Sequence, residues 1–297
     1  MKQISALIRR NIKLYFKDKG LFFVSLITPV ILLVLFATFL ANVYKDSFVS
    51  ALPAGLALKD ALINAMVGGQ LVSSLLAVSC VTVAFCSNSL MVQDKLSGAR
   101  RDLLVTPVRR SVLSVSYFAA CTLSTLIVNF VAMGLCFVYL AITGWYLAVA
   151  DVCLLALDVL LLTLFGVALS SCIHFFLNTQ GQVSAVGTMV SAGYGFLCGA
   201  YMPISSFSAG LQRVMSFLPG TYGTALLRNH ALAGAFREMR AVGFPAEIVE
   251  SIRDSIDCNL YFFGEKVSIG TMYLVLCGTI AVLSALYILF NLRKKNA

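Results

Sequence analysis

Charge is what this sequence has least of. Only 12% of its 297 residues are charged and 60% are hydrophobic, whereas soluble domains have about 25% charged and 45–50% apolar residues. An ordinary soluble fold is therefore excluded. Histidine is also scarce, with only His174 and His230, and the sequence has no HExxH, GxSxG or Ser/His/Asp spacing. We expect no catalytic site in this chain.

Other absences narrow the function further. The sequence has no GxxxxGK[ST] phosphate loop, so we expect no nucleotide-binding domain and no ATP hydrolysis by this chain alone. Eight of the nine cysteines lie in apolar stretches, where cysteine behaves as a small hydrophobic residue, and only Cys258 lies in a polar segment. No CxxC or Cys/His spacing occurs, so we expect no metal site and no cofactor in the chain.

Long apolar runs are what the sequence has instead. About 20 apolar residues cross a bilayer as a helix, and six runs approach or exceed that length. They are 21–43, 63–91, 113–142, 146–173, 183–203 and 268–291. The pattern predicts an all-α membrane protein with six transmembrane helices, in a single transmembrane domain over residues 1–297.

The basic residues are concentrated in three segments. Fourteen of the 22 lie in the N-terminal arm 2–19, in the segment 92–111, and at 293–295. By the positive-inside rule, both termini and the segment 92–111 face the cytoplasm. The net charge of +9 then reflects membrane topology. We expect no nucleic-acid partner, because no basic stripe is interleaved with aromatic residues on a soluble face.

The N-terminal arm has an amphipathic pattern. Apolar residues recur at helical spacing over 4–17, while Arg9, Lys13 and Lys17 fall on another face. This predicts a helix that lies in the plane of the membrane interface.

A long polar segment separates the fifth and sixth predicted spans. Its pieces 211–219 and 222–232 are apolar but too short to cross, so they form either interfacial helices or a re-entrant pair that dips into the outer leaflet, where its backbone must be buried in protein or line a watery cavity. Further on, apolar residues share one face of a predicted short outer helix, which we expect to lie on the membrane or on a neighbouring chain. They are Ile248, Val249, Ile252 and Ile256.

Two features inside the spans are candidates for function. Asp158 lies in the middle of the fourth span, and an acid at that depth suggests a place on a substrate path. The alternative is a structural acid that hydrogen-bonds to a neighbouring helix. In the fifth span, Gly187, Ser191, Gly195 and Gly199 recur at four-residue steps. Such a ridge of small residues predicts the close approach of another helix.

The segment 92–111 reads VQDKLSGARRDLLVTPVRRS. It resembles the first cytoplasmic loop of ABC-2 type exporter permeases, whose pattern is close to acid, three residues, Gly-Thr-x-Glu-x-Leu-x-x-Thr-Pro-x-x-Arg. The matching positions are Asp94, Gly98, Leu103, Thr106, Pro107 and Arg110. The stretch 199–228 is similar to a later Gly-x-x-x-Pro, Leu-Pro and Arg pattern of that family. Ala99 replaces the family's Thr and Arg101 its usual Glu, with the acid displaced to Asp102.

The resemblance implies one half of an exporter in a bacterial plasma membrane. Two permease chains, identical or different, would pair in lipid, and separate ABC ATP-binding subunits would bind ATP and Mg. A lipid, a drug-like amphiphile or a glycan would move outward by alternating access. The segment 92–111 would be a coupling helix that docks on the ATPase. The expected docking residues are Asp94, Gly98, Arg101, Asp102, Leu103, Leu104, Thr106 and Pro107.

Two other functions stay open. A stand-alone six-span channel or secondary transporter would have polar positions on several spans and two matching halves. A membrane signalling or scaffold protein would use the basic segment only to bind anionic lipid. For the segment itself, a basic turn that merely sets topology is the simplest alternative.

Overall fold

The structure is a computed structural model, and it describes residues 2–35, 38 and 59–293. The described helices are α1 (Lys2–Lys17), α2 (Lys19–Leu35), α3 (Asp60–Leu96), α4 (Ala99–Val105), α5 (Arg110–Thr143), α6 (Val149–Phe176), α7 (Gln180–Leu197), α8 (Ala209–Ser216), α9 (Pro219–Ala231), α10 (Ala233–Ala241), α11 (Ala246–Ser255) and α12 (Ile269–Arg293). A 3-10 turn, Ile204–Ser206, follows α7. Before α12, β1 (Tyr261–Phe262) and β2 (Glu265–Lys266) pair antiparallel, with Tyr261 opposite Lys266.

Four helices of the described part of the chain are long and apolar enough to cross a membrane, namely α3, α5, α6 and α12. The protein is therefore an all-helical membrane protein, whereas the count of six spans stays a prediction. The predicted first span corresponds in part to α2, which has 17 residues, and most of 36–43 lies outside the described residues. The predicted fifth span corresponds to α7, which ends at Leu197. Gly199 has φ +72°, a left-handed conformation that terminates helices.

α3 is the central helix of the bundle. Most of its residues between Leu62 and Asp94 are buried, and α2, α5, α6, α7 and α9 pack around it. A helix that is apolar on all sides needs such surroundings. Two of its polar side chains bond to neighbouring helices: Ser79 donates to Asn129 Oδ1 of α5 at 2.7 Å, and Asn88 donates to the hydroxyls of Ser170 and Ser171 on α6 at 3.1 Å. These hydrogen bonds fix the register of three helices.

The contact between α3 and α6 depends on a glycine. A Cβ added at Gly166 would lie 2.8 Å from the main-chain oxygen of Cys80 and 3.0 Å from Cα of Val81. Only a residue without a side chain permits this approach of the two backbones.

α1 is present as predicted, but its apolar face is covered by protein. Leu7 packs with Leu113 and Tyr117, near the start of α5, and Tyr15 packs with Val128, about four turns further along α5. The helix therefore lies alongside α5, with its apolar face turned to the bundle. That α1 lies in the plane of the membrane interface stays a prediction.

The long polar segment also folds onto its own chain. All residues of α9 from Gly220 to Ala231 are buried, and Gly223 packs against Leu162 in the middle of α6. This burial favours the re-entrant alternative over an interfacial helix for α9. On α11, the predicted apolar face packs against residues of its own chain, including Leu62 and Phe236, rather than against the membrane or a neighbouring chain.

Candidate functional site

The segment 92–111 forms a short helix between two sharp bends. Gly98 precedes α4 with φ +83°, a conformation that glycine adopts without strain. At the other end the hydroxyl of Thr106 donates to the main-chain oxygen of Leu103 at 2.6 Å, and Pro107 follows, which cannot continue the helix. α4 is thus a seven-residue helix held away from the axes of α3 and α5.

α4 has two different faces. Leu103 and Leu104 are half-buried and pack against a cluster that includes Leu7 of α1, Leu113 of α5 and Tyr287 of α12. The opposite side is exposed. We call it the α4 outer face, and it consists of Arg101, Asp102, Val105, Thr106 and Pro107. Val105 has 83% of its surface exposed and lies between the charged pair Arg101 and Asp102 and the Thr106-Pro107 end of the helix.

Asp94 does not belong to the α4 outer face. It is buried on α3, where Arg10 of α1 donates to both carboxylate oxygens at 2.6 and 3.1 Å and the Tyr117 hydroxyl donates to Oδ2 at 2.5 Å. The hydrogen bonds to Asp94 raise the pKa of Arg10 above its ordinary value. Asp94 therefore joins α1, α3 and α5. Arg10 and Asp94 are 84 residues apart, and no sequence pattern connects them.

Lys95 of the same segment caps the C-terminal end of α6. Its Nζ donates to the main-chain oxygens of His174, Phe175 and Leu177, at 3.1, 2.8 and 3.1 Å. These carbonyls belong to the C-terminal end of α6, where a cation is stabilising. Lys95 of the basic segment thus contributes to the packing of the bundle.

A cavity of about 1000 Å³ lies between α2, α3 and α7. Its wall is apolar where Ile27, Ile31 and Phe85 line it, and polar where Gln93 and Gln180 line it, toward the end of the bundle that carries α4. A mostly apolar concave surface with a few polar groups is typical of a site for small molecules.

The predicted ridge of small residues borders this cavity in part. Gly187 and Ser191 line it, and a Cβ at Gly187 would meet nothing within 4 Å. Gly195 instead lies under the ring of Tyr201, and Gly199 lies after the end of α7. Within the described residues the ridge does not pack against another helix. Close approach by a second chain stays a prediction.

Asp158 lines none of the described cavities. It is 1% exposed, and it lies 2.5 Å from His230 Nδ1 of α9 and accepts a hydrogen bond from the Tyr273 hydroxyl of α12 at 2.6 Å. The geometry fits a structural acid that joins α6, α9 and α12. The sequence contained one signal for this contact, because a histidine in an apolar stretch needs a polar partner.

A second buried pair fixes the end of α7. Arg228 of α9 donates to the main-chain oxygen of Gly199 at 2.7 Å and pairs with Asp257 Oδ2 at 3.4 Å. Asp257 also accepts from the backbone N–H of Ile204 at 2.7 Å. Burial raises the pKa of Asp257, and the charge of Arg228 opposes that shift. α9 is thereby tied to the segment that follows α7.

The described residues contain no group of three or more His, Cys, Asp or Glu side chains placed to hold a metal. A comparison with curated proteins gave no match. A family model described as ABC-2 type transporter matches residues 2–231, which includes α1, the α4 outer face, the cavity between α2, α3 and α7, and all of α9. Since the match covers more than half of the chain, the protein belongs to the ABC-2 type transporter family.

Proposed function

We propose that this chain is the membrane subunit of an exporter that a separate ATP-binding subunit drives. The proposal rests on one observation. α4 has no buried residue, and its outer face is exposed at the end of the bundle where α1 also lies. Membrane subunits of this family normally partner with an ABC ATP-binding subunit. A short helix with an exposed apolar centre and flanking charges is well suited to dock on another protein.

ATP chemistry belongs to the partner in this proposal. The partner binds ATP and Mg, and this chain supplies the α4 outer face as the surface that the partner moves. We place the centre of the proposed docking surface at Val105 rather than at the leucine pair, because Leu103 and Leu104 pack toward the bundle and Val105 is exposed. Arg101 and Asp102 place opposite charges beside Val105 and set the orientation of docking.

The cavity between α2, α3 and α7 is the proposed substrate path. Its apolar wall favours a lipid or a drug-like amphiphile over a glycan. Gly187 and Ser191 leave room beside it, so a second permease chain, identical or different, would pack along α7 and complete the path. Alternating access would open the path to each side in turn. The end with α4 and both termini would face the cytoplasm of a bacterial cell.

The test is co-purification of the chain with its ATP-binding subunit from membranes. Val105→Asp places a charge at the centre of the α4 outer face, and the loss of such an apolar contact should weaken association about 30-fold. Val149→Asp is the matched control, because Val149 is 81% exposed and begins α6 at the far end of the bundle. We expect the control to associate as the wild type does.

Two results would contradict the proposal. The first is an ATP-binding subunit that binds Val105→Asp and the wild type equally well. The second is transport of a fluorescent lipid by the purified chain in vesicles without any ATPase, which would favour a channel or secondary transporter.

A further inference from the structure

A groove of about 920 Å³ opens between the start of α5 and the end of α12. It shares no lining residue with the cavity between α2, α3 and α7. Leu104 and Val108, from α4 and the turn that follows it, form one edge. Its volume lies within the range typical of sites for small molecules and cofactors.

The long walls of the groove are apolar and accessible. Val115 of α5 and Ile288 and Leu292 of α12 are each about half exposed, and Phe118 lines the groove beside them. α5 and α12 are both long and apolar enough to cross a membrane, so these walls belong to the surface that meets hydrocarbon.

The floor of the groove is polar but already hydrogen-bonded. The hydroxyl of Ser114 donates to Asn291 Oδ1 at 2.6 Å, and Tyr287 donates to the main-chain oxygen of Ser114 at 3.3 Å. A hydrocarbon chain can therefore lie over this floor without leaving these groups unpaired.

One end of the groove is positively charged. Arg109 and Arg110 line it there, and both side chains are exposed. α5 begins at Arg110 without a side-chain cap, so its first backbone N–H groups add a partial positive charge to the two guanidinium groups. Since the two guanidinium groups lie at one end of a groove with apolar walls, the groove is complementary to an amphiphile with an anionic head.

We propose that the groove binds one anionic phospholipid. The phosphate lies at Arg109 and Arg110, and an acyl chain follows the apolar walls past Val115 and Ile288. Because Leu104 and Val108 form an edge of the groove, the bound lipid braces the inner side of α4. The proposal concerns binding alone and holds whether or not the chain works with an ATPase.

The binding test uses the purified full-length chain in detergent, titrated with palmitoyl-oleoyl phosphatidylglycerol and observed by native mass spectrometry. The chain should retain one such lipid, in preference to the phosphatidylcholine with the same acyl chains. Each basic residue near an anionic surface contributes about a fivefold gain in binding, so Arg109→Gln with Arg110→Gln should weaken retention about 30-fold. The matched control, Lys13→Gln with Lys17→Gln, removes equal charge from the exposed side of α1 and should change retention less than about twofold.

A second pair of variants tests the groove itself. Ser284 lines the groove, so Ser284→Phe should fill it. Ala285→Phe places the same ring on an exposed face of α12 outside the groove. Ser284→Phe should remove the retained lipid and Ala285→Phe should not. If size-exclusion chromatography shows that Ser284→Phe is not folded, Ser284→Leu serves the same purpose.

Three outcomes would overturn the proposal. Equal retention of the two lipids would show that the head is not recognised. Loss in the arginine variant together with full retention in Ser284→Phe would show that surface charge alone holds the lipid. Displacement of the lipid by millimolar sodium phosphate would show a site for free phosphate.

Discussion

Asp158→Ala removes a carboxylate that two buried side chains share. His230 and the Tyr273 hydroxyl would both lose a partner that now lies 2.5 and 2.6 Å away. Leaving a buried polar group without a partner costs about 1–3 kcal/mol, so two such groups set an upper range of about 2–6 kcal/mol. Hydrogen bonds between membrane helices average only about 0.6 kcal/mol, because the unfolded chain in the membrane also finds partners. We therefore expect a loss of about 2 kcal/mol.

Asp158→Asn separates the structural role from a role of the charge. The amide oxygen can accept from Tyr273 and the amide nitrogen can donate to a neutral His230, so most of the contact survives. In fluorescence-detected thermal unfolding in detergent, Asp158→Ala should lower the midpoint by about 4–8 °C. Asp158→Asn should lower it by less than half as much, and ATP-driven transport of a fluorescent lipid should persist.

Either of two results would refute this reasoning. An unchanged midpoint in Asp158→Ala would show that the contacts with His230 and Tyr273 do not stabilise the fold. A normal midpoint in Asp158→Asn together with abolished transport would show that the carboxylate charge itself acts in transport.

Three further predictions concern other contacts. Arg10→Gln removes from the buried carboxylate of Asp94 its guanidinium partner, whose side chain is 30% exposed. We expect the free energy of unfolding to fall by about 2 kcal/mol, and amide hydrogen exchange in α1 to become about 30-fold faster. Gly166→Ala should cost about 1–3 kcal/mol in thermal unfolding, because the new methyl group meets backbone of α3. The hydrogen bond from Lys266 lowers the pKa of Glu250, so this contribution to stability is present above the unfolded pKa of about 4.3 and is lost as pH falls through the folded value. The protection of amides in the 261–266 hairpin from hydrogen exchange, relative to the intrinsic exchange rate at each pH, should therefore fall below about pH 4.

Matched variants check these predictions. Lys13→Gln removes an exposed charge from α1 and should leave its hydrogen exchange unchanged. Gly193→Ala lies on α7 where a Cβ meets nothing within 4 Å, and it should be neutral or slightly stabilising. In Glu250→Gln the acid-dependent loss of protection, relative to the intrinsic exchange rate, should vanish. A control that changes as much as its test variant would count against the contact concerned.

The sequence predicted the helices that are long and strongly apolar. The run 146–173 corresponds to α6 (Val149–Phe176), and the pattern in 4–17 corresponds to α1. These predictions succeed because hydrophobic length and periodicity are local properties of the chain. The short helix α4 was indicated by a resemblance, and its bends at Gly98 and Pro107 follow from residue chemistry that a sequence displays directly.

Contacts between residues that are far apart along the chain could not be predicted from the sequence. The sequence predicted the apolar faces of α1 and α11. It could not predict whether lipid or protein covers those faces, because both environments select the same apolar residues. That Asp94 takes part in docking on the ATPase stays a prediction, and no sequence pattern indicated its contact with Arg10. The four-residue spacing from Gly187 to Gly199 suggested one helix face, whereas the helix ends at Leu197.

The packing of Leu103 and Leu104 bears on how force would travel through the molecule. Both leucines lie against one cluster that contains Leu7, Met91, Leu113, Cys172 and Tyr287, so α4 packs against the adjacent ends of α1, α3, α5, α6 and α12 together. Closely packed side chains do not compress, and a push on α4 would therefore displace these helix ends as a unit. No described residue of α2 or α7 belongs to that cluster. These two helices would then shift relative to the others, and the cavity between α2, α3 and α7 would change volume whenever α4 is displaced.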